Sequence, residues 1–410
     1  MTTITTTRPT PRQLVRASGG ARYAVALAVD AVGTGLLRPF LLLYGITVLG
    51  LGAAATGLAM TLGIVAGLAA MPPLGRWLDR GARSTAVAAS MLVRVAGVAV
   101  LLAVPHGNAA LFALAALVLG VGNQAWPAAH AALIATVAEG RLRDAALAAG
   151  RAVRNAGLGV GALLATVCLG GGAPALRALA AVSGIGFLAA GLLARSVRVT
   201  AAPATARTAG RTDAAGPGLG VVLLANVVYV FCLNVPEVAL PLVLVTVLHA
   251  SPAWSAAVFV ANTVLVVALQ VPLTTWAAAR WSRGTVLAAS GVVLAASYLG
   301  FLLAVPFGPL AVALVAVPCT LGEILYAGSA TALVTALTPP PVLGRALARF
   351  QLSTGLGLAL SPAAITALAA AGPLALWGTL AAATLGASAA VGRTAAGPAP
   401  GGNGPDARAI

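Results

Sequence analysis

Long apolar runs alternate with short polar turns along almost the whole chain. In the first part they occupy residues 21–44, 51–74, 85–104 and 110–137, then a stretch following the charged link 139–144, then 175–194. In the second they fall near 219–247, 254–279, 285–305, 309–337, 346–370 and 374–392. A helix needs about 20 mostly apolar residues to cross the hydrocarbon core of a bilayer, so the pattern predicts twelve transmembrane helices. The first run passes Asp30 and reaches Tyr44, too long for the apolar region of a cleaved signal peptide. Residues 1–20, rich in Thr, Arg and Pro, and residues 393–410, rich in Gly and Pro, read as disordered tails. Residues 195–217 read as a linker between one six-helix bundle at 21–194 and a second at 218–392.

Composition excludes a water-soluble globule. Hydrophobic residues make up 60% of the 410 and charged residues only 8%, against about 25% charged in soluble domains. A net charge of +16 would point to nucleic acid in a soluble protein, but its distribution points elsewhere. All 24 basic residues are arginines, and 21 of them fall on the membrane side that also holds both termini and the linker. Arg38 and Arg177 near span ends and Arg94 in mid-span are the exceptions. By the positive-inside rule that side is cytoplasmic, and its charge suits anionic lipid headgroups, not nucleic acid. Cys168, Cys232 and Cys319 lie in apolar runs without metal-ligand spacing, so neither a disulfide framework nor a metal site is expected. Gly157, Gly159 and Gly161 alternate along an apolar run with no preceding strand, which fits bending and close approach, not a nucleotide loop.

Sliding one half over the other by about 200 positions places Pro72, Arg80 and Arg83 on Pro272, Arg280 and Arg283, and Ala132-Leu133 on Ala332-Leu333. Two positions away from that offset, Arg151, Gly157 and Gly159 fall on Arg349, Gly355 and Gly357. Such landmarks at nearly one offset indicate two repeats of the same orientation.

The turn at 75–83 is short, charged and flanked by apolar runs. It resembles the loop between helices 2 and 3 of major facilitator superfamily (MFS) transporters, with Gly75, Asp79, Arg80 and Arg83 in the motif positions. The resemblance covers residues 21–392 and is greatest to the drug:proton antiporter branch. The second copy is degenerate, with Thr275 for Gly75 and Ala279 for Asp79, so the gating role implied for the motif passes to the first copy alone. The implied fold is an all-α polytopic membrane protein, twelve transmembrane helices as two parallel six-helix repeats, acting as a monomer. In that fold helices 1, 4, 7 and 10 line a central cavity. This puts Asp30, Asn123, Gln124, Trp126, His130, Asn226, Tyr229, Asn234, Glu237, Glu323 and Tyr326 on cavity-lining helices.

An ionisable side chain at a helix centre costs about 2.5–3.5 kcal/mol on insertion scales, so chemistry is expected at the deep polar groups. At 1.5 Å per residue Asp30 lies roughly 12 Å beyond Arg22, and Glu323 is in the middle of the tenth span. Each is either a carboxylate that takes up and releases a proton during transport, or one paired with a buried arginine, Arg94 or Arg38, that locks helices together. Glu237 borders the outer vestibule and Arg94 reads as structural. His130 either shuttles protons or is hydrogen-bonded across helices. Trp126 and Tyr229 either stack on a substrate or pack the core. The expected function is secondary active transport, the proton-coupled efflux of a small, moderately hydrophobic molecule by alternating access. Proton-coupled uptake of a sugar or organic acid, and a membrane scaffold or receptor that has lost transport, are the alternatives. No nucleophile–base pair, metal cluster or nucleotide motif appears, so neither an enzyme nor a cofactor is expected.

The arginine partition has a direct test. A single cysteine at Thr205, in a background lacking Cys168, Cys232 and Cys319, is expected to resist an impermeant thiol reagent in intact cells. Labelling from outside would overturn the assigned topology.

Overall fold

The computed structural model describes residues 10–168, 171–201, 217–235 and 239–395. Among these the chain is helical nearly throughout, with an isolated antiparallel bridge between Ala82 and Thr200. In chain order the main helices are α1 (Ala21–Thr47), α2 (Ala55–Asp79), α3 (Ser84–Ala103), α4 (Ala109–Val137), α5 (Gly140–Cys168), α6 (Gly172–Ser196), α7 (Pro217–Tyr229), α8 (Pro252–Arg280), α9 (Arg283–Ala304), α10 (Pro309–Leu337), α11 (Leu343–Ala370) and α12 (Pro373–Ala395).

Ten of these helices, all but α5 and α7, are long and apolar enough to cross a membrane. α5 has the length, at 29 residues, but its first half holds Arg141, Arg143, Asp144, Arg151 and Arg154. α7 stops at Tyr229, so the expected continuous run 219–247 is broken. Helix resumes over Phe231–Asn234 and Leu240–Leu242 and ends in a π-helical turn, Val243–Val247. Proline lacks the amide that a helix interior needs, and this stretch contains Pro236, outside the described residues, and Pro241. The same physics acts on α1, which tightens to a 3-10 turn over Arg38–Phe40 at Pro39. In α2 the helix breaks at Ala70, just before Pro72-Pro73, whereas α8 runs through its single Pro272.

The expected disordered tail at 1–20 is corrected in part. Residues 1–9 lie outside the described residues, but Pro11–Ala17 is a helix. Thr10 and Gln13 form a reciprocal capping box, Pro11 supplies the first helical φ, and Ala17 is buried against the core. Of the expected linker, residues 202–216 lie outside the described part. Its opening docks on the α2–α3 turn: Ser84 N–H donates to the Val199 carbonyl at 3.2 Å and Ala201 N–H to the Gly81 carbonyl at 3.1 Å.

The two halves repeat one packing scheme. In the first, α1 packs on α5 and α6, α2 on α4, and α3 on α4 and α6; in the second, α7 packs on α11 and α12, α8 on α10, and α9 on α10 and α12. Each pair maps onto its counterpart six helices on. Between the halves, α5 meets α8 and α2 meets α11, a seam with the same symmetry. Many large apolar side chains remain exposed, among them Leu58, Leu163, Ile185, Leu224, Leu303 and Leu314. In water such a surface drives aggregation, and in a bilayer it faces a solvent of its own kind.

With no hydrophobic drive between helices in lipid, tight packing depends on small residues. α2 and α4 cross where Gly63 faces Gly120, and a Cβ on Gly120 would overlap the Gly63 carbonyl, whereas one on Gly57 of the same α2 meets nothing within 4 Å. Gly120→Val is therefore expected to destabilise the protein by at least the ~1–3 kcal/mol typical of overpacking, read as a lower melting temperature in detergent, and Gly57→Ala to leave it within error of wild type.

Candidate functional site

At the arginine-rich face the end of α2 is fastened to the start of α11. One oxygen of Asp79, Oδ1, accepts from the backbone N–H of Gly344 at 2.7 Å and of Arg345 at 3.3 Å, and Oδ2 accepts from Arg345 Nε at 2.8 Å. A carboxylate at a helix N-terminus satisfies amides with no partner in the helix and meets the positive end of the dipole, and the guanidinium adds a charge-assisted bond. Two glycines permit the approach. A Cβ on Gly75 would lie 3.0 Å from the Ala348 Cβ, and one on Gly344 would lie 2.6 Å from the Gly75 carbonyl oxygen.

The motif arginines do different work. Arg83 turns back into its own half: Nε donates to Thr136 Oγ1 at 2.7 Å and Nη1 to the Leu78 carbonyl. Burial lowers the pKa of the Arg83 guanidinium, and the Asp79 charge opposes that shift. Arg80 is exposed. The degenerate second copy, expected to have no such role, also bridges the halves. Arg283 Nε donates to Asp144 Oδ2 at 2.7 Å, and Arg141 Nη2 donates to the Ala279 carbonyl at 3.3 Å. Arg283 is the repeat partner of Arg83, and the acid it meets stands on α5, so in this copy the acid has moved to the other helix. Deeper in, Gln351 Nε2 donates to Gln124 Oε1 at 2.8 Å, and Arg151 Nη2 to Thr331 Oγ1 at 3.4 Å.

Inside the first half Asp30 sits in the paired arrangement. Its Oδ1 lies 2.5 Å from Arg94 Nη2 and its Oδ2 lies 3.4 Å from Arg154 Nη1, with the Asp30 and Arg94 side chains fully buried. Arg94 also donates to Thr34 Oγ1 at 3.2 Å and lies over the Phe187 ring. The partner that sequence alone did not suggest is Arg154. Its guanidinium lies over the Trp126 ring at 4.2 Å, and the His130 ring stacks on the same indole at 4.9 Å. Trp126 is buried within this stack. His130 is bonded across helices, Nδ1 to the Tyr23 hydroxyl at 2.8 Å, and Gly150 leaves room for its Nε2. Asn123 is half-buried beside this group on α4.

Of the second-half candidates Asn226 and Tyr326 hydrogen-bond each other, and Tyr229, Asn234 and Glu323 bond to other residues. Tyr326 donates to Asn226 Oδ1 at 2.6 Å, Asn226 Nδ2 reaches Ser353 and Thr354, and Tyr229 donates to the Leu287 carbonyl while stacking on Tyr326. Asn234 donates to Ser361. Glu323 accepts from Asn262 Nδ2 at 2.9 Å. Glu237 lies outside the described residues. Besides Arg151 and Arg154, the structure adds Asn262, Gln351 and the fully buried Gln270. A signal for the arginines was present: at 1.5 Å per residue they lie about 16 and 21 Å along α5 from Gly140, too deep for the basic face to which a count by loops assigns them.

The sequence profile of the Major Facilitator Superfamily matches residues 23–362. No curated protein matches the chain significantly. Solved structures that resemble it include a bacterial homologue of the iron transporter ferroportin in an outward-facing state, at 11% identity and a TM-score of 0.76, covering 92% of this chain and 98% of that one. The fucose:proton symporter FucP of E. coli aligns at 13% identity and 0.71, covering 91% and 97%. The human organic anion transporter MFSD10 aligns at 15% and 0.66, covering 93% and 100%. At these identities the likeness establishes the fold.

Asp79→Asn removes the charge that holds α11 but hardly changes volume, and hydrogen bonds to charged groups are worth about 1.5–3 kcal/mol. Spin labels at Leu142 and Trp281, exposed at the same face on opposite halves, are expected to give longer and broader distances in Asp79→Asn than in wild type. An unchanged distribution would mean that Asp79 does not hold this face closed.

Proposed function

The chain belongs to the Major Facilitator Superfamily, and from that premise we propose that it is a proton-coupled secondary active transporter working by alternating access. The observation that carries this reading is the join between the halves. Two six-helix bodies meet at the arginine-rich face through a carboxylate on a helix N-terminus, an Asp144–Arg283 ion pair and glycine contacts. Bonds of this kind can be exchanged for water when the face opens, so the two bodies can rock about a site at mid-depth. A scaffold or receptor has no need of such a latch. We take the arginine-rich face as cytoplasmic, which makes the latch an inward gate.

For the substrate we adopt export of a small, moderately hydrophobic molecule. Uptake of an organic acid is the second reading, and it draws support from Arg151 and Arg154 at membrane depth and from the likeness to an organic anion transporter. For coupling we assign Glu323. Its Asn262 partner is a neutral amide that can donate to a carboxylate or, turned over, accept from a carboxylic acid. Asp30 remains the second candidate, but it is held between two guanidiniums. Breaking a buried pair leaves an uncompensated charge at a cost of about 3–5 kcal/mol, so Asp30 variants report on folding as much as on coupling. The likeness to a fucose:proton symporter agrees with the use of protons.

The test uses proteoliposomes containing a pH-sensitive dye. A transported solute moving down its gradient is expected to move protons in the wild type. In Glu323→Gln solute counterflow is expected to persist while proton movement stops. Wild-type proton movement in that variant would remove Glu323 from the coupling path.

A further inference from the structure

The first half holds more positive charge at membrane depth than its own acids neutralise. Asp30 faces Arg94 and Arg154, and Arg151 lies one turn before Arg154 on α5. Residues three apart on a helix share a face. Among the described residues no carboxylate pairs with Arg151, and its one hydrogen bond is the 3.4 Å contact from Nη2 to Thr331 Oγ1 on α10. A guanidinium has five donors in a flat fork. Arg151 is only partly buried, and its contact crosses from one half to the other, where alternating access would expose it to each side in turn. Of these three guanidiniums Asp30 pairs with two, and Arg151 is the one positive charge left without a carboxylate partner among the described residues.

A desolvated surplus charge is costly unless something pairs with it. The fork geometry of a guanidinium matches the two oxygens of a carboxylate, and a single negative charge balances the count. We propose that Arg151, seconded by Arg154, is the anion-binding element of the site between the halves, and that it takes the carboxylate of a small organic monoanion. The proposal rests on the transporter reading and narrows it to a substrate class. Thr331 on α10 then holds the fork from the second half, so that an arriving carboxylate is felt by both bodies.

The test uses the full-length protein in detergent, without any assumption about transport. Sodium salts of formate, acetate, butyrate, hexanoate, octanoate and benzoate are titrated at constant ionic strength, each beside its neutral amide and the ammonium salt of the matching amine, with melting temperature as the readout. At least one carboxylate is expected to raise the melting temperature saturably, its amide and amine are not, and Arg151→Gln is expected to weaken that carboxylate at least tenfold, with partial recovery in Arg151→Lys. Without added anion Arg151→Gln is expected to melt no lower than wild type, because it removes a charge that no acid neutralises. A lower melting point with no carboxylate effect would make Arg151 a structural residue and overturn the proposal. So would the absence of any carboxylate effect in wild type, or a carboxylate effect of wild-type strength in Arg151→Gln. Counterflow of the stabilising acid in liposomes separates the two readings. Binding without counterflow leaves the anion site and removes transport, and counterflow of amides or amines alone leaves transport and removes the anion site.

Discussion

The contact on which the arrangement of the two halves depends is a carboxylate on a helix end. Asp79 closes α2 and at the same time caps α11, so one side chain ends an element of the first repeat and begins an element of the second. The interaction is local, because a helix dipole acts within its first turn, and it requires the backbones to come close. Gly75 and Gly344 supply that closeness. A Cβ at Gly344 would collide with the Gly75 carbonyl and the Asp79 backbone, and one at Gly75 would press on Ala348 and the Arg345 backbone, so the glycines and the acid form one unit.

The second copy solves the same problem with the charges exchanged. Ala279 replaces the acid and cannot cap anything, but Arg283, unlike Arg83, reaches across the seam to Asp144 on α5. The symmetry of the fold, α2 on α11 and α8 on α5, is kept while the chemistry is inverted. One closure is a capped helix with an ion pair to Arg345, and the other is an ion pair without a cap. Salt screens the partly exposed ion pair in each closure, and the buried backbone amides of the first less.

The halves also differ in how they hold polar groups at depth. The first uses charge, with Asp30 between Arg94 and Arg154, and Arg154 extended over Trp126, His130 and Tyr23 in one stack through α1, α4 and α5. The second relies largely on neutral hydrogen bonds among Asn226, Tyr326, Ser353 and Thr354. A charged cluster has a definite geometry and is expensive to disturb, whereas a neutral network can exchange partners at smaller cost.

The sequence by itself determined the class of molecule. Twelve apolar runs, the offset of about 200 between repeats and the lone arginine-rich side follow from hydropathy and spacing, because backbone groups in lipid must be satisfied within each helix and each span can be read on its own. Asp79 and Gly75 stood out for the same local reason, as a charged turn at a membrane face. Tertiary structure alone decided what each deep group touches. Asp30 could meet Arg38, Arg94 or nothing until helix rotation was fixed, and rotation depends on glycine contacts between helices far apart in sequence, such as Gly63 with Gly120. Arg151 and Arg154 belong to the basic face in a count by loops and to the interior in the fold, because α5 begins at Gly140 and its charged half runs inward. The same holds for the Asp144–Arg283 pair, joined across 139 residues. Contacts between helices are set by how surfaces fit, and no window along a single run contains that information.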